Sequence, residues 1–513
     1  MFNNTNRNYI YIAIAFLIGT VYYLLSIYYI TNHQFGMPLD DAWIHFRFAE
    51  NFAHGHFFEY NIGAPTPGTT SPLWVVILAV PFLISRSLIL PYALAVTLLF
   101  FFLTCIEVYR LGLYLKIGKE YALLAAILTA FNRRLIWSSL SGMEITLFCW
   151  LTLIIVFIHL REIDQKKLKA ATGLLLGVAV LVRPEAYLLG ILYYLSSFIL
   201  LRKELKENLK PLILSAILFL AAISPYPIFS EFFTGRLLPN TFRGQLSDWN
   251  FLSGFDYIYT TFTYFEKDNP FIFLLLLFSV FYFSYTYIKR KADNRWLFIF
   301  LWVIFLPLAS IFITHNSRHY GRYLMPIIPF INLTAIYILT KVFGYIRKNK
   351  PRLLKYTSAL AVVLVLVSIG KAGTFGYLAG KNVDCINNQQ VNIANWINRN
   401  LPEEKIIALN DIGAITFLTG KKIIDMEGLV TPEMLKFRRL KLEDQDPNVM
   451  RFLKSNNVNY LIIYPEWYSY LMKYYSHGLE KVYSAKLIER TICGGNEMFV
   501  FKINWDKINL TEN

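Results

Sequence analysis

Long apolar runs alternate along this chain with short, mostly basic interruptions. The first run is Tyr9–Ile30, and others recur as far as about Lys355–Ile369. A helix needs about 20 apolar residues to cross a bilayer, so the pattern predicts a multispanning α-helical membrane protein. The interruptions orient it. Arg161–Lys167, Arg202–Lys210, Lys289-Arg290-Lys291 and Arg347–Lys350 are basic loops, and such loops favour the cytoplasm. If the first span enters from the cytoplasm, the loop 31–71 lies outside, with Ser141–Glu144, Arg183-Pro184-Glu185, Glu231–Asn250 and Thr314–Tyr323. Between Pro72 and Leu140 the charges Arg86, Arg110, Lys116, Lys119, Arg133 and Arg134 obey no single hairpin scheme. One segment there is expected to be short, broken or re-entrant. Taking 71–110 as one net crossing gives about 11 spans.

Near Gly370 the texture changes from greasy runs to mixed segments. The spacing predicts a helix over Val391–Asn400, strands at Lys405–Leu409, Lys422–Met426, Tyr460–Tyr464 and Met498–Ile503, and a turn at Asn410-Asp411. The expected organisation is therefore a membrane domain, 1–373, and an extracytoplasmic α/β domain, 374–513. The latter is long enough to bury its own core.

Composition narrows the class. Of 513 residues, 56% are hydrophobic and 17% aromatic, too many for one soluble core. The net charge of +16 does not point to nucleic acid, because the basic residues cluster in loops between spans. Arg7 precedes the first span and no small-residue cleavage site follows it, which reads as an uncleaved anchor. Cys105 and Cys149 sit in apolar runs as small hydrophobes. Cys385 and Cys493 fall in the polar C-terminal part, where a disulfide is open to them if that part is extracytoplasmic.

The candidate chemistry centres on Leu39–Trp74. It opens with Asp40-Asp41, continues as a helix-compatible run over Ala42–Phe52, turns at His54-Gly55-His56 and re-enters an apolar run at Ser71-Pro72-Leu73-Trp74. Acids at a membrane mouth are costly to hold near lipid, and the run after them suits an interfacial helix. In an inverting glycosyl transfer one carboxylate takes the proton of the attacking hydroxyl. Asp40, nearer the membrane boundary, is the preferred base and Asp41 the other candidate; the alternative is that one of them only caps the helix. Candidate phosphate ligands are Arg183, Arg243, Arg318, His319 and Arg322, since guanidinium groups bind phosphate bidentately. For Arg183 a surface pair with Glu185 is the alternative, and for the loop 314–323 contact with lipid headgroups. His45, Arg47, His54, His56, Glu144, Glu185 and Asn240 are expected to line a substrate pocket. No metal motif is present, although a divalent cation held by Asp40 or Asp41 stays open.

In this order the segments DDAWIHFRFAENFAHGHFFEYNIG, TTSPLW, SGME and RPE resemble bacterial GT-C fold glycosyltransferases, and among them the terminal β-arabinofuranosyltransferase group. Phe57 stands where that pattern has a second glycine, and Asn410–Pro432 resembles a segment of the group's outer domains. The resemblance implies a GT-C-like bundle with an outward-facing site in the bacterial inner membrane. It further implies a polyprenyl-phosphate monosaccharide donor, and a base supplied by the acidic pair. The acceptor would be an envelope glycan, lipid or protein. No P-loop or Rossmann signature accompanies these segments, as suits a donor that carries its own leaving group. A transporter or flippase of lipid-linked sugars is the rival expectation; it calls for charges or broken helices near the membrane midplane.

Overall fold

The computed structural model describes residues 4–235, 237, 251–291, 293–313, 319–353, 355–438 and 440–510. Among them, eight helices are long and apolar enough to cross a membrane. They are Asn6–Ile30, Arg86–Tyr114, Ile145–Gln165, Arg202–Phe233, Pro270–Ile288, Asn294–Phe312, His319–Asn349 and Ala359–Asn400. Three apolar helices are shorter: Pro72–Leu83, Ala171–Val182 and Ala186–Leu200. Many spans leave one apolar stripe uncovered. On the first, Ile10, Ile14, Leu17, Val21 and Leu25 are exposed at helical spacing, which suits a lipid solvent. The chain is a multispanning α-helical membrane protein.

The residues fall into two compact units. One is drawn from Met1–Ser26, Ala93–Pro225 and Ser247–Tyr377; the other from Ile27–Tyr92, Tyr226–Leu246 and Leu378–Asn513. The first unit is a helical bundle. Lipid tails are as apolar as leucine, so its helices need close backbone contact to associate. Gly173 and Gly177 supply it, one turn apart on Ala171–Val182. A Cβ on Gly173 would overlap the Ser215 carbonyl, and one on Gly177 would come within 2.5 Å of the Ala222 Cβ.

The second unit joins distant stretches of sequence. A short antiparallel pair joins β1 (Glu59–Asn61) and β2 (Ala64–Pro65), and a five-stranded sheet comprises β3 (Ile406–Leu409), β4 (Ile423–Asp425), β5 (Val458–Ile463), β6 (Leu479–Lys486) and β7 (Glu497–Ile503), in the order β4-β3-β5-β7-β6. β3 is parallel to β4 and β5, whereas β7 is antiparallel to β5 and β6. One core cluster on this sheet includes Ala408, Met450, Leu453, Leu461, Ile463 and Leu471. The loop after the first span folds with this domain. Asn61 donates to Ile423 O (2.9 Å) and accepts from Ile423 N (3.0 Å), satisfying edge strand β4. The Tyr60 hydroxyl donates to Ile412 O at 2.6 Å.

The helix expected over Ala42–Phe52 runs Asp40–Ala53, but it does not lie at an interface with a wet side. Ala42, Trp43, His45, Phe46, Arg47, Phe48, Ala49 and Asn51 are all buried. The reason is a second partner: Phe417 of the helix Gly413–Thr419 packs 5.6 Å from the Trp43 ring and 5.9 Å from the Phe46 ring.

Candidate functional site

The acidic pair opens the helix Asp40–Ala53, whose N-cap is Leu39. Neither acid caps its own helix. The Asp40 carboxylate instead accepts the Gly413 and Ala414 backbone N–H groups, both at 2.7 Å, and so caps the helix Gly413–Thr419. Glycine is required at 413, because a Cβ there would overlap the Asp40 carbonyl. With one N–H on each oxygen, Asp40 is an anchor. Burial pushes its carboxyl up to about 8, with Asp411 adding to the rise and the two N–H groups opposing it.

Asp41 is half-buried and feels the charges of Asp40 and Asp411. Asp411 follows strand β3. Its Oδ2 accepts from Gln390 Nε2 (2.8 Å) and lies 2.7 Å from the Tyr464 hydroxyl. That hydroxyl is also 2.7 Å from Gln389 Oε1 and accepts from Gln390 Nε2 at 3.0 Å. Both glutamines are buried on one π-helical turn, Asn387–Val391, a helix irregularity frequent at functional sites. Burial raises the Asp411 carboxyl, as do the charges of Asp41 and Glu427; the Tyr464 and Gln390 bonds lower it. Gly494 and Gly495 press on the Tyr464 ring, where added Cβ atoms would come within 2.7 and 2.5 Å of it. Glu427 itself is held by Tyr468 (2.9 Å) and Arg438 (2.8 Å). Fully buried Asp425 accepts from the N–H groups of Glu427 and Val430, both at 2.8 Å, and burial pushes its carboxyl up to about 7.

The other residues expected in the pocket are largely committed to holding the loop. Arg47 donates to Tyr60 O (3.3 Å) and Gly420 O (3.4 Å) and pairs with Glu50 (3.4 Å). Glu50 also meets Arg86 at 2.7 Å. His54 Nδ1 lies 2.7 Å from Glu50 O at the end of the helix, and His56 lies 3.3 Å from Glu59. His45 is buried. Among the described residues, no group of three or more His, Cys, Asp or Glu could hold a metal ion.

In the helical unit, Arg183 is not the surface pair that its Arg-Pro-Glu setting allows. It is 4% exposed, donating to Glu144 Oε1 (2.6 Å) and reaching Glu185 by Nη2 (2.6 Å) and Nε (3.2 Å). A guanidinium engaged by two carboxylates is a brace. It lies 5.4 Å from the Tyr323 ring, and buried Arg322 lies 5.3 Å from the same ring. Arg322 belongs to the turn His319–Ile327, which begins with His319, Tyr320 and Gly321 all in the left-handed region (φ 49°, 59° and 67°). Fully buried Arg134 donates to Tyr320 O at 3.2 Å and grips Asp268 through Nε and Nη2 at 2.7–3.0 Å. Arg133 and Asn132 share that aspartate. Asn240, Arg243 and Arg318 lie outside the described residues.

Sequence reasoning missed Asp411, Tyr464, Gln389, Gln390 and Asp268. The signals for the first were the predicted turn at Asn410-Asp411 and its place in the segment Asn410–Pro432.

The fold is similar to solved GT-C glycosyltransferases. ArnT from Cupriavidus metallidurans in the apo state matches with a TM-score of 0.57 and 12% identity, over 94% of this chain and 97% of that one. Its structure bound to undecaprenyl phosphate matches with a TM-score of 0.58 and 11% identity, over the same shares. An Archaeoglobus fulgidus oligosaccharyltransferase in complex with zinc and sulfate gives 0.58 and 14%, over 96% of this chain and 73% of that one. At such identities the likeness is one of fold. Residues 381–501 match the family model of a domain of unknown function, DUF8728. No curated protein matches the sequence.

Proposed function

We propose that this chain is an inverting glycosyltransferase that moves a monosaccharide from a polyprenyl-phosphate donor to an envelope glycan, lipid or protein acceptor on the outer face of the membrane. The observation that carries the reading is the full-length likeness to ArnT, one of whose structures holds undecaprenyl phosphate. The acidic cluster of the second unit supports it.

In this reading Asp41 is the base. Asp40 is spent on two backbone N–H groups, which leaves it the anchor and reverses the preference that position alone suggested. As the acceptor oxygen attacks the anomeric carbon, Asp41 takes its proton and the bond from that carbon to the phosphate oxygen breaks. The polyprenyl phosphate departs with the electron pair. Cations stabilise that leaving group; Arg322 and His319 are the proposed ligands, with Arg318 and Arg243 from the undescribed segments. Arg183, engaged by Glu144 and Glu185, braces Arg322 through Tyr323. Residues 374–513 are proposed to lie outside and to receive the acceptor. Arabinofuranose is one sugar to test.

The test is transfer from radiolabelled polyprenyl-phosphate sugars in membranes carrying wild type or Asp41→Asn. Loss of a general base costs about 10²–10⁴-fold, and donor binding is expected to survive. Full transfer by Asp41→Asn would remove that carboxylate from the chemistry.

A further inference from the structure

We propose that Cys385 and Cys493 form a disulfide that ties the end of the last long helix to the loop between β6 and β7. The two sulfurs lie 2.8 Å apart, 108 residues apart in sequence, and both side chains are buried. They share a small cluster with Ile386 and Leu487. The surroundings already bind the two segments. Lys381 pairs with Glu489 at 3.3 Å, the Thr491 hydroxyl donates to Lys381 O at 3.3 Å, and Gln389 Nε2 donates to Gly495 O at 3.2 Å. The backbone N–H groups of Thr491, Ile492 and Cys493 face the Cys385 sulfur. The two sulfurs need to approach by less than about 1 Å to reach the bonded separation of about 2.05 Å.

The helix Lys355–Ile386 has 32 residues. At 1.5 Å per residue it is about 48 Å long, well beyond a hydrocarbon core of about 30 Å. The apolar part begins at Ala359, and about 20 residues from there, as far as Leu378, cross that core, so Lys381, Asp384 and Cys385 fall beyond the lipid. The bond rests on the outward placement proposed above, since disulfides persist in oxidising compartments. A disulfide-bearing oxidant of that compartment supplies the chemistry. One thiolate attacks it, the second resolves the mixed disulfide, and the two hydrogens and two electrons end on the oxidant's sulfurs. Because both cysteines are buried once folded, exchange occurs while the domain folds. The bond also holds the loop whose Gly494 and Gly495 back Tyr464, and hence Asp411.

The test is peptide mapping of the full chain, its thiols blocked at harvest and again after denaturation without reductant. The expected result is a cross-linked peptide pair containing Cys385 and Cys493, released by reductant, while Cys105 and Cys149 are recovered alkylated. Sidedness is read separately. Fully exposed Ile488 is replaced by cysteine (Ile488→Cys) in a Cys385→Ser/Cys493→Ser chain and labelled with an impermeant maleimide on intact cells. Labelling at 488 with both native cysteines alkylated would overturn the bond while leaving the outward placement intact. Failure to label at 488 in intact cells, with labelling after lysis, would overturn both.

Discussion

Replacing Asp40 by alanine tests the division of labour within the acidic pair. The substitution removes the acceptors of two N–H groups, at Gly413 and Ala414, both residues being buried. A buried donor left unsatisfied costs about 1–3 kcal/mol. The two donors are neighbours and do not add fully, so the loss is about 2–5 kcal/mol. Asp40→Asn keeps one acceptor oxygen and sets an amide NH2 against the other donor, for about half that cost. At 1.4 kcal/mol per tenfold, exchange of the two amides is expected to speed up roughly 30- to 4,000-fold in Asp40→Ala, up to the ceiling set by global opening. The assay is hydrogen exchange read by mass spectrometry on a peptide spanning 410–419, in the purified full chain. Asp41→Asn is the control, with exchange within about threefold of wild type. If Asp40→Ala leaves the peptide protected and Asp41→Asn exposes it, the anchor and the base have been assigned the wrong way round.

Other outcomes follow from the same contacts. The carboxyls of Asp40, Asp411 and Asp425 are raised by burial, so the folded state favours their protonated forms more than the unfolded chain does. Their contribution is full below about pH 4 and is lost as pH rises toward the folded values of about 7 for Asp425 and about 8 for Asp40. The second unit should therefore melt at a lower temperature at pH 8 than at pH 5.5; a melting point that rises over that interval would contradict the assignment. Arg183→Ala removes the cation shared by buried Glu144 and half-buried Glu185, at about 3–5 kcal/mol, and should lower the melting temperature far more than Glu185→Gln does. Gly173→Leu should separate the helices Ala171–Val182 and Leu205–Ile223 and reduce the yield of monodisperse protein, whereas Gly344→Leu, with open space around it, should not.

Local pattern made the helix Asp40–Ala53 and strands β3, β4, β5 and β7 legible to within about two residues, because each carries its own periodicity or turn signal. β6, with sequence LEKVYSAK, carries a weak alternation and was not expected. Contacts that span the sequence left no trace in it. Arg183 and Glu144 are 39 residues apart, Asp411 and Gln390 are 21 apart, and Asp40 and Gly413 are 373 apart. The acids of the pair were therefore findable as a pair, while which of them holds the fold depended on a helix far downstream. The supposed interfacial helix failed for the same reason: nothing near Trp43 announces Phe417.

That last separation bears on how the protein is made. Asp40 leaves the ribosome 373 residues before Gly413, and at roughly 5–20 residues per second the wait is about 20–75 s. During that interval the loop after the first span has Asp40, Asp41 and Arg47, but not the partners that later bury them. The nascent loop must stay hydrated while the later hydrophobic stretches insert, and it can close only when nearly the whole message has been read. A chain released early, anywhere before the helix Gly413–Thr419, would present an inserted bundle with an unfolded acidic loop. That defect is well suited to recognition by quality-control proteases.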